Sequence, residues 1–291
     1  MLLLQRDQLL LHPAGEGVSH GTRLFAQREV HGGFLARWFG RAYSRLAPVH
    51  GSCETRGVRW ATPPETESEL LSRAEALAGQ RLGTLARRCE REAPPDLRRH
   101  KGWVGGLMEA LLGASAGSKA DADFPSLGIE LKTLPVDGRG MPCESTFVTS
   151  IPLLEIGDVE FEQSRVVRKL SRVLWVPVQG ERQIPLAERL VGTPLLWSPT
   201  PGQLAALRED WEELCLYIAR GEVEAITGHL GRFLQVRPKA AHGGVRRVAH
   251  DADGARLLAN PKGFYLRSRF TAEILRAHYH LPDAATHGAR R

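Results

Sequence analysis

The chain has 291 residues, 42% of them hydrophobic and 25% charged, a composition that is typical of a soluble globular protein of one large or two modest domains. Its 39 lysines and arginines exceed its 33 aspartates and glutamates and give a net charge of +6, which favours a polyanionic partner. No stretch approaches the roughly 18 apolar residues of a membrane helix, and Arg6 and Asp7 interrupt the apolar start, so we expect a cytoplasmic protein without membrane contacts.

The first half of the chain is predicted to form helices and then strands. Pro63 and Pro64 precede an apolar-periodic run, which predicts a helix over 65–77. Apolar residues also recur at helical spacing over 103–112, and Gly113 follows as a stop. Strands are predicted over 127–134, 145–151 and 172–178.

Strands and helices also alternate in the second half. The segment 234–238 alternates apolar and polar residues and ends at a proline, which predicts a short strand at a sheet edge. Helices are predicted over 208–218 and 271–278. This order favours an α/β (mixed α+β) fold, with a central mixed sheet flanked by helices.

The segment FPSLGIELKTLP carries the most informative pattern. In a strand, side chains alternate between faces, so Ile129 and Leu131 point into apolar packing while Glu130 and Lys132 share the other face. Six residues separate Asp123 from Glu130, which lets both carboxylates reach one end of the strand. Oxygen ligands suit Mg²⁺, and a neighbouring lysine can act on a water or a phosphate. The alternative is a solvated strand face with an ordinary Glu–Lys pair.

Glu109 is a candidate third carboxylate. It lies two positions from both Leu107 and Leu111, off the centre of the apolar stripe of the predicted helix, where its carboxylate could face a cleft. An ordinary helix-surface glutamate is the alternative.

A second group of residues is suited to reading DNA. Arg237 and Lys239 would lie at the end of the strand 234–238, and a guanidinium is the usual bidentate partner of guanine; an exposed basic turn is the alternative. Asp137-Gly138 is a hairpin signal, so Phe147 is expected on a strand that pairs with the one bearing Glu130. Phe147 could instead be a core residue, and Tyr265 could be half-buried.

Other common sites are not predicted. The four cysteines are isolated, without a C-x-x-C pair, so structural zinc and disulfides are not expected. The sequence contains no P-loop, H-E-x-x-H or G-x-S-x-G motif, so we expect no nucleotide hydrolysis.

These segments resemble the MutH family of methyl-directed mismatch-repair endonucleases. The matches occur in the family's order over 62–281. They are PPETESELLSRAEALAG (63–79), KGWVGGLMEALLGASAGSKADADFPSLGIELKTLPVDGRG (101–140), VRKLSRVLWVPVQGER (167–182), VGTPLLWSPT (191–200), LREDWEEL (207–214), LQVRPKAA (234–241) and PKGFYLRSRFTAEILRAHY (261–279).

The resemblance implies a role for each candidate. Glu109, Asp123 and Glu130 would bind metal, with the Leu131 carbonyl completing the shell, and Lys132 would be the catalytic lysine. Lys101 would contact a backbone phosphate, and Lys169 would do so near the scissile bond. The residues implied in recognising the DNA site are Phe147, Arg237 and Tyr265, with Lys239 as a helper.

The resemblance also implies an activity. The fold would be restriction-endonuclease-like, with two arms around a DNA cleft, and the cofactor Mg²⁺, which Mn²⁺ can replace. The enzyme would nick the unmethylated strand at hemimethylated GATC, 5′ of the G, leaving a 5′-phosphate and a 3′-hydroxyl. It would act as a monomer that a MutL-type protein activates.

Three alternatives and the domain limits complete the prediction. A restriction enzyme of the Sau3AI type would cut both strands at GATC, and a non-catalytic module would only bind its sequence. The third alternative, a non-nuclease core domain, would leave the clustered acids unexplained. The nuclease domain, with two subdomains, is expected over 61–281, followed by a tail over 282–291. Residues 1–60 are expected to be an N-terminal extension, either disordered or a misassigned start.

Overall fold

The computed structural model describes residues 61–97, 99–116, 120–154, 156, 159–239, 246–250 and 255–281. The predicted extension over 1–60 and the tail over 282–291 lie outside the described residues. Within those residues, no helix is both long and apolar enough to cross a membrane.

The described residues form six α-helices and eight strands. The helices are α1 (Glu67–Glu75), α2 (Leu82–Arg88), α3 (Trp103–Leu112), α4 (Arg165–Leu170), α5 (Pro201–Ala219) and α6 (Ser268–Tyr279). The strands are β1 (Glu130–Val136), β2 (Thr146–Ser150), β3 (Val173–Gln179), β4 (Leu195–Trp197), β5 (Leu234–Pro238), β6 (Arg247–His250), β7 (Arg256–Ala259) and β8 (Lys262–Leu266).

Local signals explain where the helices begin and end. The Thr66 hydroxyl accepts a hydrogen bond from the Glu69 N–H and caps α1. The α3 helix ends at Gly113, which has a left-handed φ of 81°, a conformation that glycine adopts without strain. The helix predicted over 103–112 is therefore confirmed at both ends.

The α5 helix is longer than predicted because its start signal lies upstream. It begins at Pro201 rather than at Arg208. Thr200 and Gln203 form a capping box, and Pro201 occupies the first turn, where its missing N–H costs nothing. The last helix, α6, also begins earlier than predicted, at Ser268.

The first sheet is mixed and has the strand order β1-β3-β4. The β1 strand runs parallel to β3, with Glu130 opposite Val173, and β4 runs antiparallel to β3. Six of the seven residues of β3 are buried, as expected for a central strand that is covered on both faces. The β1 strand is an edge strand within the part of the chain that the structure describes.

Each face of the first sheet packs into its own core. Leu131 and Leu174 point towards α1, α2 and α3. Leu134 and Trp175 point to the opposite side, towards the second sheet and helices α5 and α6. The start of β1 therefore lies where two packed layers meet.

The second sheet is antiparallel, with the order β2-β8-β5, and it corrects one prediction. Phe147 does not lie on a strand that pairs with β1, because β2 pairs with β8. The chain does turn at Asp137, whose carboxylate accepts the N–H groups of Arg139 and Met141. Only an isolated bridge from Val136 to Pro142 follows, since a proline has no N–H with which to extend a ladder.

Asp210 joins α5 to the second sheet. Its buried carboxylate accepts hydrogen bonds from the backbone N–H groups of Arg232, Phe233 and Leu234. One side chain thus satisfies three backbone donors, and those of Phe233 and Leu234 are buried. The sequence gives no local signal for this contact, since the partners are 22 to 24 residues apart.

Replacing Asp210 by alanine is expected to lower the free energy of unfolding by about 3 kcal/mol, because several buried donors lose their acceptor. Urea denaturation followed by circular dichroism measures this change. The exposed neighbour Glu209 supplies the control, since Glu209→Ala should stay within about 0.5 kcal/mol of the wild type. An equally small effect of Asp210→Ala would contradict the capping role.

Candidate active site

The start of β1 places a carboxylate and an ammonium group side by side. Ile129 and Leu131 are buried in the core that the first sheet forms with α1, α2 and α3. Glu130 and Lys132 point to the other face, as the strand alternation predicts. The Lys132 ammonium donates a hydrogen bond to Glu130 Oε1. Glu130 is only 3% exposed, so its carboxylate depends on such partners for its charge.

Lys169 is the second partner of Glu130. Its ammonium, at the end of α4, lies 2.9 Å from Glu130 Oε2 and 2.5 Å from the carbonyl oxygen of Asp121. Lys169 is 5% exposed. The prediction that Lys169 contacts a DNA phosphate is therefore corrected, since its ammonium is buried and bonded to protein oxygens. Sequence spacing could not reveal this, because Glu130 and Lys169 are 39 residues apart.

Asp123 lies close to Glu130. Its Oδ2 atom accepts a hydrogen bond from the Leu131 N–H over 2.8 Å. Burial, and next the negative charge of Glu130, raise the pKa of Asp123 to about 6, against the opposing effects of the Leu131 N–H, Lys132 and Lys169. A buried carboxylate beside a second negative charge forms a site whose charge a cation would stabilise.

The backbone carbonyl of Leu131 adds a third oxygen donor group beside the carboxylates of Asp123 and Glu130. The Glu130 N–H bonds to the Arg172 carbonyl on the side of β3, whereas the Leu131 N–H points the other way, to Asp123. Since the N–H and C=O of one strand residue point in the same direction, the Leu131 carbonyl also faces the side of Asp123. Two carboxylates and one carbonyl are hard oxygen donors, which fit a divalent cation such as Mg²⁺.

Glu109 lies on α3, near this group but not within it. Its backbone carbonyl accepts the N–H groups of Gly113 and Ala114, and the next residue, Ser115, bonds to the Asp123 carbonyl oxygen. The end of α3 is thus tied to the Asp123 segment. The Glu109 side chain, however, is exposed, and the described residues contain no cluster of three His, Cys, Asp or Glu side chains that could hold a metal. Its metal-binding role stays a prediction.

Lys101 lies directly before α3. It is exposed and precedes Gly102, which begins the helix with a left-handed φ of 86°. The α3 helix has no acidic residue in its first turn and no side-chain cap, so this end of the helix is electropositive. A phosphate contact of Lys101 stays a prediction.

Four predicted residues meet on one face of the second sheet, and we call them the recognition cluster: Phe147, Arg237, Lys239 and Tyr265. The Phe147 and Tyr265 rings contact edge to face, with centroids 5.3 Å apart. The Lys239 ammonium lies 4.0 Å from the Phe147 ring centroid, and the Arg237 guanidinium lies 5.9 Å from that of Tyr265. Both rings are partly exposed, so Phe147 is not a fully buried core residue.

The recognition cluster has a supporting residue that the sequence did not indicate. The Ser145 hydroxyl accepts a hydrogen bond of 2.7 Å from Arg237 Nη1. Burial raises the pKa of the Tyr265 phenol, against the lowering effect of Arg237, so the phenol keeps its proton and remains a hydrogen-bond donor. No local signal marks Ser145, because its partner is 92 residues away.

Comparison with known proteins gives consistent matches. A family model described as the DNA mismatch repair enzyme MutH matches residues 112–210. The DNA mismatch repair protein MutH of Vibrio cholerae serotype O1 (strain M66-2) is 53% identical over 216 residues, which is 74% of this chain and 98% of the relative. The protein of the same name from Escherichia coli O6:K15:H31 (strain 536 / UPEC) is 52% identical over 218 residues, 75% of this chain and 95% of the relative.

The mixed α/β architecture is a restriction-endonuclease-like fold, and the family match places the protein among mismatch-repair endonucleases. Within that class, the high identity over nearly the full length of both relatives decides the assignment. The chain belongs to the MutH family.

Proposed function

We propose that this mismatch-repair endonuclease is Mg²⁺-dependent and nicks the unmethylated strand at hemimethylated GATC sites, 5′ of the G. The observation that carries the proposal is the convergence of Asp123, Glu130 and the Leu131 carbonyl beside two lysines. A non-catalytic DNA-binding module would have no use for a carboxylate whose pKa is raised to about 6 by burial and a second acid.

Each residue of the site has a distinct task. Asp123, Glu130 and the Leu131 carbonyl would hold Mg²⁺, with Glu109 as a further ligand. Bound Mg²⁺ supplies polarisation of the phosphate and a lower pKa for a coordinated water, and Mn²⁺ can take its place. Lys132 is the more exposed member of the pair that it forms with Glu130. Its ammonium orients the attacking water and offsets the negative charge that grows on the phosphate.

The products follow from in-line attack. The water oxygen bonds to phosphorus as the bond from phosphorus to the 3′ oxygen breaks. The water proton passes to solvent, and the 3′ oxygen takes up a proton, which leaves a 3′-hydroxyl and a 5′-phosphate. Lys169 takes no direct part; it fixes the Glu130 carboxylate from behind, through a buried bond.

We assign the recognition of the DNA bases to the second sheet. Arg237 would make a bidentate contact with guanine in the major groove, a pairing worth about 1–3 kcal/mol of discrimination. Tyr265, Lys239 and Phe147 complete the face that approaches the bases. Lys101 would contact a backbone phosphate, and the net charge of +6 supports general attraction to DNA.

The biological setting completes the proposal. The two relatives are named DNA mismatch repair proteins, which supports a role in which a MutL-type protein activates the nicking. We infer that the enzyme acts as a monomer in the cytoplasm, with a duplex held between two arms that correspond to the two subdomains over 61–281.

Cleavage of three labelled GATC duplexes, unmethylated, hemimethylated and fully methylated, tests the function. With Mg²⁺, the wild type should nick the unmethylated strand of the hemimethylated duplex and spare the fully methylated one. Separate labels on the two strands show which strand is cut. Rapid cutting of both strands of the unmethylated duplex, without any activator, would favour a restriction enzyme instead.

A further inference from the structure

Gly263 lies on β8, the middle strand of the second sheet. Its cross-strand partners are Ser150 on β2 and Arg237 on β5. Since successive strand residues face opposite sides, position 263 shares the face of Tyr265, whereas Phe264 points into the core. Any side chain at position 263 would project into the recognition cluster.

The Phe147 ring occupies the space where that side chain would lie. A Cβ atom on Gly263 would be 2.9 Å from Phe147 Cε2 and 3.2 Å from the carbonyl oxygen of Thr149. Carbon atoms pack best at about 3.5–4.0 Å, so the first distance is a clash. A Cβ atom at position 263 would therefore force the Phe147 ring to move from its place across β8.

A register shift in β2 contributes to this arrangement. Phe147 pairs with Tyr265, but Thr149 pairs with Phe264, so the pairing shifts by one residue between Phe147 and Thr149. Such a β-bulge bends a strand locally and re-aims its side chains. Together, the bulge and the glycine bring the ring down onto the middle strand.

The seated ring holds two other members of the recognition cluster. Its edge-to-face contact with Tyr265 and its contact with the Lys239 ammonium both depend on where the ring lies. We propose that Gly263 is a specificity-determining position, because its missing side chain seats Phe147 and thereby positions Tyr265 and Lys239. This inference rests on the proposed function, in which those residues recognise the DNA site, and it adds the residue that positions them.

Binding measurements on Gly263→Ala test the proposal. The Kd is measured without divalent metal, for a short GATC duplex and for a duplex with one base of that site changed. The ratio of the two Kd values should fall by about tenfold or more in Gly263→Ala, while the affinity for the changed duplex stays the same. Gly202→Ala is the matched control, since nothing lies within 4 Å of a Cβ atom there.

A double-mutant cycle shows whether Gly263 acts through Phe147. Phe147→Ala removes the ring, so adding Gly263→Ala to it should change the ratio no further. If Gly263→Ala fails to fold, the double variant should fold again, because the clash has been removed. Full additivity, a normal ratio in Gly263→Ala, or a double variant that still fails to fold would each overturn the proposal.

A measurement without DNA tests the seating of the Phe147 ring separately from the proposed recognition of GATC. The Lys239 ammonium lies over the Phe147 ring, so the NMR signals of the methylene bonded to it should be shifted upfield in the wild type and return towards ordinary values in Gly263→Ala. An unchanged shift would refute the seating of the ring. A wild type that does not distinguish GATC from the changed duplex would instead refute the proposed function.

Discussion

Replacing Asp123 by asparagine is expected to abolish DNA cleavage and, at the same time, to stabilise the folded protein at pH 8. Loss of an anionic metal ligand should reduce the cleavage rate at least about a hundredfold. The amide oxygen of asparagine can still accept the Leu131 N–H that Asp123 binds, so the local backbone is preserved. Duplex binding should be unchanged, because Asp123 lies outside the recognition cluster.

The gain in stability follows from the direction of the pKa shift. The pKa of Asp123 rises from 3.8 to about 6 on folding, so between these values the folded state binds more protons than the unfolded state. The free energy of unfolding therefore falls as pH rises through this range, by at most about 3 kcal/mol for a shift of about two units. Asparagine has no charge to desolvate, so the variant avoids this loss.

Urea denaturation of both proteins without metal, at pH values from 4 to 8, checks the prediction. The stability advantage of Asp123→Asn should be largest at about pH 7–8 and should vanish near pH 4. Asp137→Asn is the control, since that carboxylate also accepts backbone N–H groups but lies outside the site. A variant that is less stable than the wild type at pH 8 would argue against crowding of the two acids.

Replacing Lys169 by methionine is expected to lower the cleavage rate because it disturbs the structure around Glu130, rather than because it weakens DNA binding. Methionine keeps an unbranched side chain that is one atom shorter but removes the charge that faces Glu130. Among the described residues, Lys132 would be the remaining ionic partner of the buried Glu130 carboxylate. We expect a loss of about 2–4 kcal/mol in the free energy of unfolding and a large fall in cleavage rate.

The salt dependence of DNA binding distinguishes this positioning role from a phosphate contact. A lysine that neutralises a phosphate contributes about one unit to the slope of log K against log salt concentration. Lys169→Met should leave that slope unchanged. Lys101→Met, at an exposed lysine, is the matched control and should reduce the slope by about one. A reduced slope in Lys169→Met would restore the original prediction of a phosphate contact.

Local patterns in the sequence were sufficient to predict the elements that hold the acids. The alternation around Glu130 predicted that Ile129 and Leu131 point into apolar packing, and both are buried in one core. The burial of Glu130 itself did not follow from this pattern. The apolar period over 103–112 and Gly113 predicted both ends of α3. These features depend on neighbours along the chain, so no knowledge of distant contacts was needed.

Other features depend on contacts that are distant in sequence. The partner of β2 is β8, more than a hundred residues later, and a turn signal at Asp137 could not exclude the nearer strand. Lys169 could be placed at a phosphate only by analogy, since its bond to Glu130 arises from tertiary packing that brings α4 to the start of β1. Ser145, Asp210 and Gly263 likewise become significant only when the second sheet forms.

Binding of Mn²⁺ to the protein–DNA complex tests the central claim most directly. Titration followed by electron paramagnetic resonance should show a specific site in the wild type. That site should be lost or strongly weakened in Asp123→Asn and in Glu130→Gln, and retained in Asp137→Asn. Equal Mn²⁺ binding by the wild type and by both of the first two variants would contradict the assignment of these carboxylates as metal ligands.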